Sequence, residues 1–268
     1  MRIRISVVVA LAGLVAREAR AQPAALNPPA PLVANVRGPS PGESARSLQA
    51  AERAQEMGLP SAAAAIFQRL IETPGADRQA ATLGLATALL DEGKALEAEK
   101  VLTAWTGERG AAWHLRKGLA AAAQGETTTA KNERDASHIN ELPPADRGWH
   151  LYLQGTIATM ENEPDKAKVL FGQAVDAAGS SLARARFLLK QDEARLRGGG
   201  AVSEVALETT RKNLATYQGR KVGYDIARTY AVMLDASGKK GEAAEVLQRQ
   251  VVSLPPEEHE ELDEMRLL

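Results

Sequence analysis

Five times along this chain a turn-type residue is followed five positions later by alanine, and four positions after that by a mostly bulky side chain. The runs are Gly58/Ala63/Phe67, Gly93/Ala98/Leu102, Gly125/Ala130/Arg134, Asn162/Ala167/Phe171 and Gly238/Ala243/Leu247. Their first members lie 35, 32, 37 and 76 residues apart, the last gap being two periods of 38. Such a recurrence marks an array of helical hairpins, each too small to bury its apolar face alone and stable only against its neighbours. Composition agrees. Aromatic residues make up only 4% of a chain that is 44% apolar, and abundant alanine suits closely packed helices while arguing against a β-rich domain.

The punctuation between the runs reads as helix, tight turn, helix, stop. The first unit pairs a helix over 45–57 with one beginning at Pro60, a first-turn position that tolerates proline, and Pro74-Gly75 ends it. The spacing predicts further pairs over 78–92 and 95–105, 111–124 and 127–142, 147–162 and 164–178, and 222–237 and 241–253. Between Ser181 and Gln218 a fifth unit is degenerate: Gly198-Gly199-Gly200 replaces the tight turn and leaves no clear register. No Gly-Lys-Ser/Thr accompanies that triple glycine, so it reads as a loop between helices and not as a phosphate cradle.

Within the units, Leu151, Gly155, Ala158, Ala167, Phe171 and Ala174 follow the spacing Leu-Gly…Ala-x3-Phe, as do Leu85, Ala86, Leu89, Ala98 and Leu102, and Tyr230, Ala231, Leu234, Ala243, Leu247 and Pro255. In this the chain resembles the tetratricopeptide repeat family over about residues 44–256, with Arg134 standing where that pattern has phenylalanine. The resemblance implies an all-α, right-handed α-solenoid of about six helix-turn-helix repeats. Ala51, Ala86, Gly118, Gly155 and Ala231 would be small where paired helices cross. The first helix of each unit would line a concave groove, which by the family's geometry places Leu115, Leu119, Trp149, Tyr152, Thr156 and Arg228 on its wall. Glu52, Gln55, Glu56, Leu83, Thr87, Asp91, Thr159, Asp225 and Asp235 would join them. Trp149 can equally pack as core between repeats.

The ends read differently. Arg2 and Arg4 precede an apolar run over 5–16, and Ala19-Arg20-Ala21 follows it, the pattern of a cleavable secretory signal over 1–21. Twelve residues span about 18 Å as a helix, short of the ~30 Å hydrocarbon core, so no stable membrane span is expected after cleavage. That segment holds four arginines and one glutamate, so its removal moves the formal net charge from −1 to −4, which gives no electrostatic footprint for nucleic acid. The proline-rich stretch over 22–43 reads as a flexible, weakly ordered linker. Residues 257–268 read as a C-terminal helix, either a cap or the start of a further repeat. The absence of cysteine excludes disulfides, thiolate metal sites and a lipid-modified cysteine.

Little in the sequence points to chemistry. The four histidines, His114, His138, His150 and His259, are scattered, and His259 lacks the second histidine that a helical metal site requires. No Gly-x-Ser-x-Gly elbow occurs. The adjacent carboxylates Asp91-Glu92 and Asp192-Glu193 fall on charge-rich helices, where exposure is expected. The expectation is therefore a non-enzymatic, cofactor-free, periplasmic or secreted bacterial scaffold that binds a peptide or protein partner, an envelope component, in its concave groove. Two other readings fit the same residues: a glycan- or cell-wall-associated binding module, and the front part of a longer repeat protein.

Overall fold

The computed structural model describes residues 40–253 of the 268. The expected signal, the linker up to residue 39 and the helix expected at 257–268, with His259, lie outside them. Among the described residues are twelve α-helices and no strand. They are α1 (Pro41–Glu56), α2 (Pro60–Glu72), α3 (Arg78–Asp91), α4 (Ala95–Ala104), α5 (Ala111–Ala123), α6 (Thr127–Ala136), α7 (Pro144–Met160), α8 (Pro164–Asp176), α9 (Ser181–Arg197), α10 (Glu204–Thr216), α11 (Lys221–Ala236) and α12 (Lys240–Ser253). None is long and apolar enough to cross a membrane.

Each hairpin turns in the same way. Gly58, Gly93, Gly125 and Gly238 have φ of +70°, +77°, +79° and +78°, and Asn162 sits at +60°. These are the turn residues of the sequence recurrence, all in the left-handed region that glycine enters freely and asparagine tolerates. The following amide reaches back five residues at each one, as in Leu59 N to Ala54 O at 2.9 Å and Lys94 N to Leu89 O at 2.8 Å. This pattern satisfies the otherwise orphaned carbonyls at the helix end. Gly199, at φ +69°, is the same device in the degenerate unit, with Gly200 N bonded to Arg195 O at 2.9 Å. Its second helix starts only at Glu204, whereas the others start two residues past the turn.

Two boundaries differ from expectation for local reasons. The array begins at Pro41, ahead of Ser44, because Ser40 caps α1. Its amide donates to Glu43 Oε2 at 2.6 Å while its hydroxyl accepts from the Glu43 amide at 3.4 Å, and proline fits the first helical position. In the third unit α6 stops at Ala136 and not at Leu142. Ser137 leaves helical geometry there and its hydroxyl donates to the Arg134 carbonyl at 2.8 Å, after which a short 3-10 turn spans Ile139–Glu141.

The helices pack in adjacent pairs, consistent with an α-solenoid, and each odd-numbered helix also touches the next odd-numbered one. Successive even-numbered helices show no comparable contact, so the odd helices form the inner, concave layer. Close approach depends on small residues. A β-carbon at Gly155 would stand 2.7 Å from Phe171, and one at Gly84 2.4 Å from Phe67. Phe67, Leu102 and Phe171 are buried, each contributing roughly 1.5–3 kcal/mol through its apolar area. Arg134 fills no such position. A crevice of about 310 Å³ remains beside it, floored by Ile157, Ala158 and Leu170.

The arc also meets itself. Asp91 on α3 pairs with Arg186 on α9, 95 residues away. The turn at Gly58 faces Leu182 and Arg220, and the turn at Gly93 faces Lys221. Units in a simple solenoid touch only their neighbours; here long side chains bring the early hairpins against the late ones.

Candidate functional site

The inner layer lines a partly open cavity of about 280 Å³ to which α3, α5, α7, α9 and α11 all contribute. Its positions come from helical periodicity. On α5, Leu115 and Leu119 are one turn apart and share a face, and on α7 Trp149, Tyr152 and Thr156 do the same. These five candidates line the cavity together, with Thr87, Asp91 and Asp225. Arg228 does not line it and lies 3.9 Å from the carboxylate of Asp225. Glu52 and Glu56 are exposed away from the cavity, and Gln55 donates to the Gly84 carbonyl at 3.3 Å. Leu83 packs with Ala86, Leu102 and Trp113, Thr159 lines a separate small hollow, and Asp235 is exposed.

Trp149 has both roles open to it in the sequence. Its ring packs into the cores of two neighbouring units and also lines the cavity. It meets Phe187 edge-on at 4.9 Å and Tyr152 at 5.3 Å, and Tyr152 in turn lies 5.5 Å from Phe171. Pairs in these orientations are each worth about 0.5–1.5 kcal/mol beyond their buried area, so the apolar wall is held rigidly by the core behind it. Burial pushes the pKa of the Tyr152 phenol up, with Lys190 and Arg186 acting in the opposite direction.

Sequence reasoning placed Asp91 and Asp225 on the wall but missed Arg116, Asp146, Arg186 and Lys190, which line the cavity with them. Arg116 forms a two-pronged pair with Asp146, at 2.9 and 3.1 Å, while its Nε donates to Thr87 Oγ1 at 3.0 Å and its Nη1 to the Ala112 carbonyl at 3.0 Å. Arg186 pairs with Asp91, and its guanidinium carbon sits 6.0 Å from the centre of the Trp149 ring. Lys190 donates to Glu193 at 2.8 Å. Burial, the larger effect, pushes the Asp91 carboxyl above the ordinary carboxylate range, with Arg186 pulling it part of the way back. For Lys190 burial acts downward, but Glu193, Tyr152 and Asp225 outweigh it and hold the amine above its usual range. These partners are separated by 30 and 95 residues in two cases, and no local spacing announces them.

The expectation of exposed carboxylates is corrected at three positions, since the Glu92 side chain, paired with Lys94 at 2.6 Å, is only 8% exposed. The Asp91 side chain is only 10% exposed and that of Asp192 only 6%. Asp192 pairs with Arg195 at 3.0 Å and accepts from Thr210 at 3.4 Å. A charge-rich helix stays dry on one face when each buried carboxylate has its own cation or hydroxyl. The histidines are apart from the cavity: His114 pairs with Glu133 at 2.7 Å, His138 is exposed and His150 is buried between Ser137 and Gln154. Among the described residues no group of three metal-ligating side chains converges.

The site can therefore hold an apolar group against an aromatic and leucine wall, with a ring of paired charges around it. No protein-family model matches the chain, and no curated protein matches it.

Proposed function

We propose that this chain is an exported, non-enzymatic scaffold of the tetratricopeptide repeat type, a right-handed stack of about six hairpins that holds a peptide or protein partner of the cell envelope in its concave cavity. The observation that carries this reading is the convergence of Leu115, Leu119, Trp149, Tyr152 and Thr156, from two helices, on one concave surface. Tyrosine and tryptophan set on a rigid backing are the residues most often found at the energetic centre of interfaces. The recurring hairpin turns and small crossing residues support the family resemblance, since they are the features the repeat needs in order to stack. Export rests on the basic, apolar and small-residue order of the first 21 residues.

The test is capture of envelope proteins by the purified chain, compared with a Trp149→Ala/Tyr152→Ala variant and with Leu119→Glu, each first shown to keep wild-type helicity. Loss of the same captured protein in both variants is the expected result. Undiminished capture by both removes the cavity from the account.

A further inference from the structure

The early and late hairpins meet along a seam that is built differently from the contacts between neighbouring hairpins. On one side are the turn at Gly58, the end of α3 at Asp91 and the turn at Gly93; on the other are Leu182 and Arg186 of α9, with Arg220 and Lys221 at the start of α11. Asp91 pairs with Arg186, and Lys221 acts on the Glu92 carboxylate. Arg220 meets the Gly58 turn and lies over the Tyr217 ring, 5.7 Å from its centre. Among the described residues no buried apolar cluster has members from both α1–α4 and α9–α12; each stays within one hairpin or passes to the next.

This difference sets the cost of parting. Neighbouring hairpins are held by buried apolar area, and separating them exposes that area to water with no compensation. An ion pair behaves otherwise, because parting returns both charges to water and the recovered hydration offsets much of the lost attraction. The seam is therefore the cheapest long-range contact in the stack to open. Nor does opening require any core to break. The curvature of a solenoid is the sum of small rotations from one repeat to the next, so slight unbending at each step between α3 and α9 separates the two sides.

The cavity straddles the seam. Thr87, Asp91 and Gly93 line it from the early side and Arg186, Lys221 and Asp225 from the late side, so parting the seam widens the mouth. From this we infer that the seam is an ionic latch: the arc alternates between the clasped form described above and an unclasped form with a wider mouth, and the latch regulates what reaches the cavity. The latch stands on the seam alone; its use as a gate deepens the function proposed above and rests on it.

The chain has no cysteine, so Ala65→Cys on α2 and Thr216→Cys on α10, both exposed and away from the seam, give two unique spin-label sites on the full chain. Their separation is read by double electron–electron resonance, with circular dichroism to check that helicity is kept. Wild type should show one main distance and a longer component of about a tenth or less. Arg186→Ala leaves Asp91 without its cation while the seam is shut, so the longer component, displaced by about 10 Å or one helix diameter, should become the larger of the two. Arg220→Ala, outside the cavity lining, should shift the balance the same way. Raising the salt from about 0.1 to about 1 M shortens the screening length from about 10 to about 3 Å. That should enlarge the longer component in wild type but not in Asp91→Leu/Arg186→Met, whose seam is apolar.

One unchanged distance in both alanine variants with helicity kept, no growth with salt in wild type, or equal growth in the apolar variant overturns the latch. If Arg186→Ala loses helicity, Arg220→Ala and the salt series decide. For the gate, Arg220→Ala should take up the captured envelope protein faster than wild type; an unchanged rate, with the longer component grown, overturns it. Distances that respond as expected while capture is indifferent to Trp149→Ala/Tyr152→Ala and Leu119→Glu leave the latch and remove the scaffold reading. Fixed distances with cavity-dependent capture do the reverse.

Discussion

Replacing Arg186 by alanine tests whether the arc is closed by the pair with Asp91. Asp91 is 10% exposed at its side chain and Arg186 16%, so the variant strands a carboxylate in a site that is mostly dry. Removing one partner of a fully buried pair costs about 3–5 kcal/mol. The residual exposure reduces that to about 2–4 kcal/mol, which for a protein of this size corresponds to roughly 4–16 °C in Tm. Asp91 has an escape, because it can take up a proton. Its folded pKa already lies above the ordinary 3.8 through burial, and losing Arg186 raises it further. The folded state then holds a proton that the unfolded chain releases, so stability falls as pH rises from the unfolded pKa through the folded one. The deficit of Arg186→Ala should be small near pH 4 and complete near neutrality. Urea unfolding of wild type, Arg186→Ala, Asp91→Asn and the double variant, followed by far-UV circular dichroism, gives the coupling. It should be about 1–3 kcal/mol, with the double variant more stable than the sum of the single losses implies. Additive losses, or an Arg186→Ala deficit that does not shrink toward acid pH, would refute the closure.

Two other outcomes follow from the packing. Gly155→Ala puts a methyl 2.7 Å from the Phe171 ring and should cost about 1–3 kcal/mol by overpacking in thermal melts; partial recovery in Gly155→Ala/Phe171→Leu identifies the clash as the cause. His150 is buried and neutral, its pKa lowered by burial and by Arg134, so its contribution is present above the unfolded value of 6.5 and is lost as pH falls through the folded pKa. Stability measured between pH 7 and 5 should therefore decline in wild type and decline less in His150→Gln.

The hairpins were readable because the turn imposes its own residue type. A left-handed φ at the end of each first helix nearly compels glycine or asparagine, and the alanine five residues on is fixed by the short step into the next helix. The degenerate unit escaped for a definite reason: its turn residue is Gly199, but α10 starts five residues later instead of two, which puts Leu207 where the other units have alanine. The apolar half of the cavity was readable too, because Leu115, Leu119, Trp149, Tyr152 and Thr156 follow helical periodicity within single elements. Arg116, Asp146, Arg186 and Lys190 were not. Their positions in the site follow from how several hairpins curve together, and the sequence carries no signal for a partner 95 residues away.

An open stack can lose or gain a hairpin and still bury every remaining core, so its length is free to drift. A stack fastened like a bracelet cannot. The rotation contributed by each hairpin between Asp91 and Arg186 has to add up to bring those two side chains together, so the clasp fixes how many hairpins lie between them and how wide the enclosed space is.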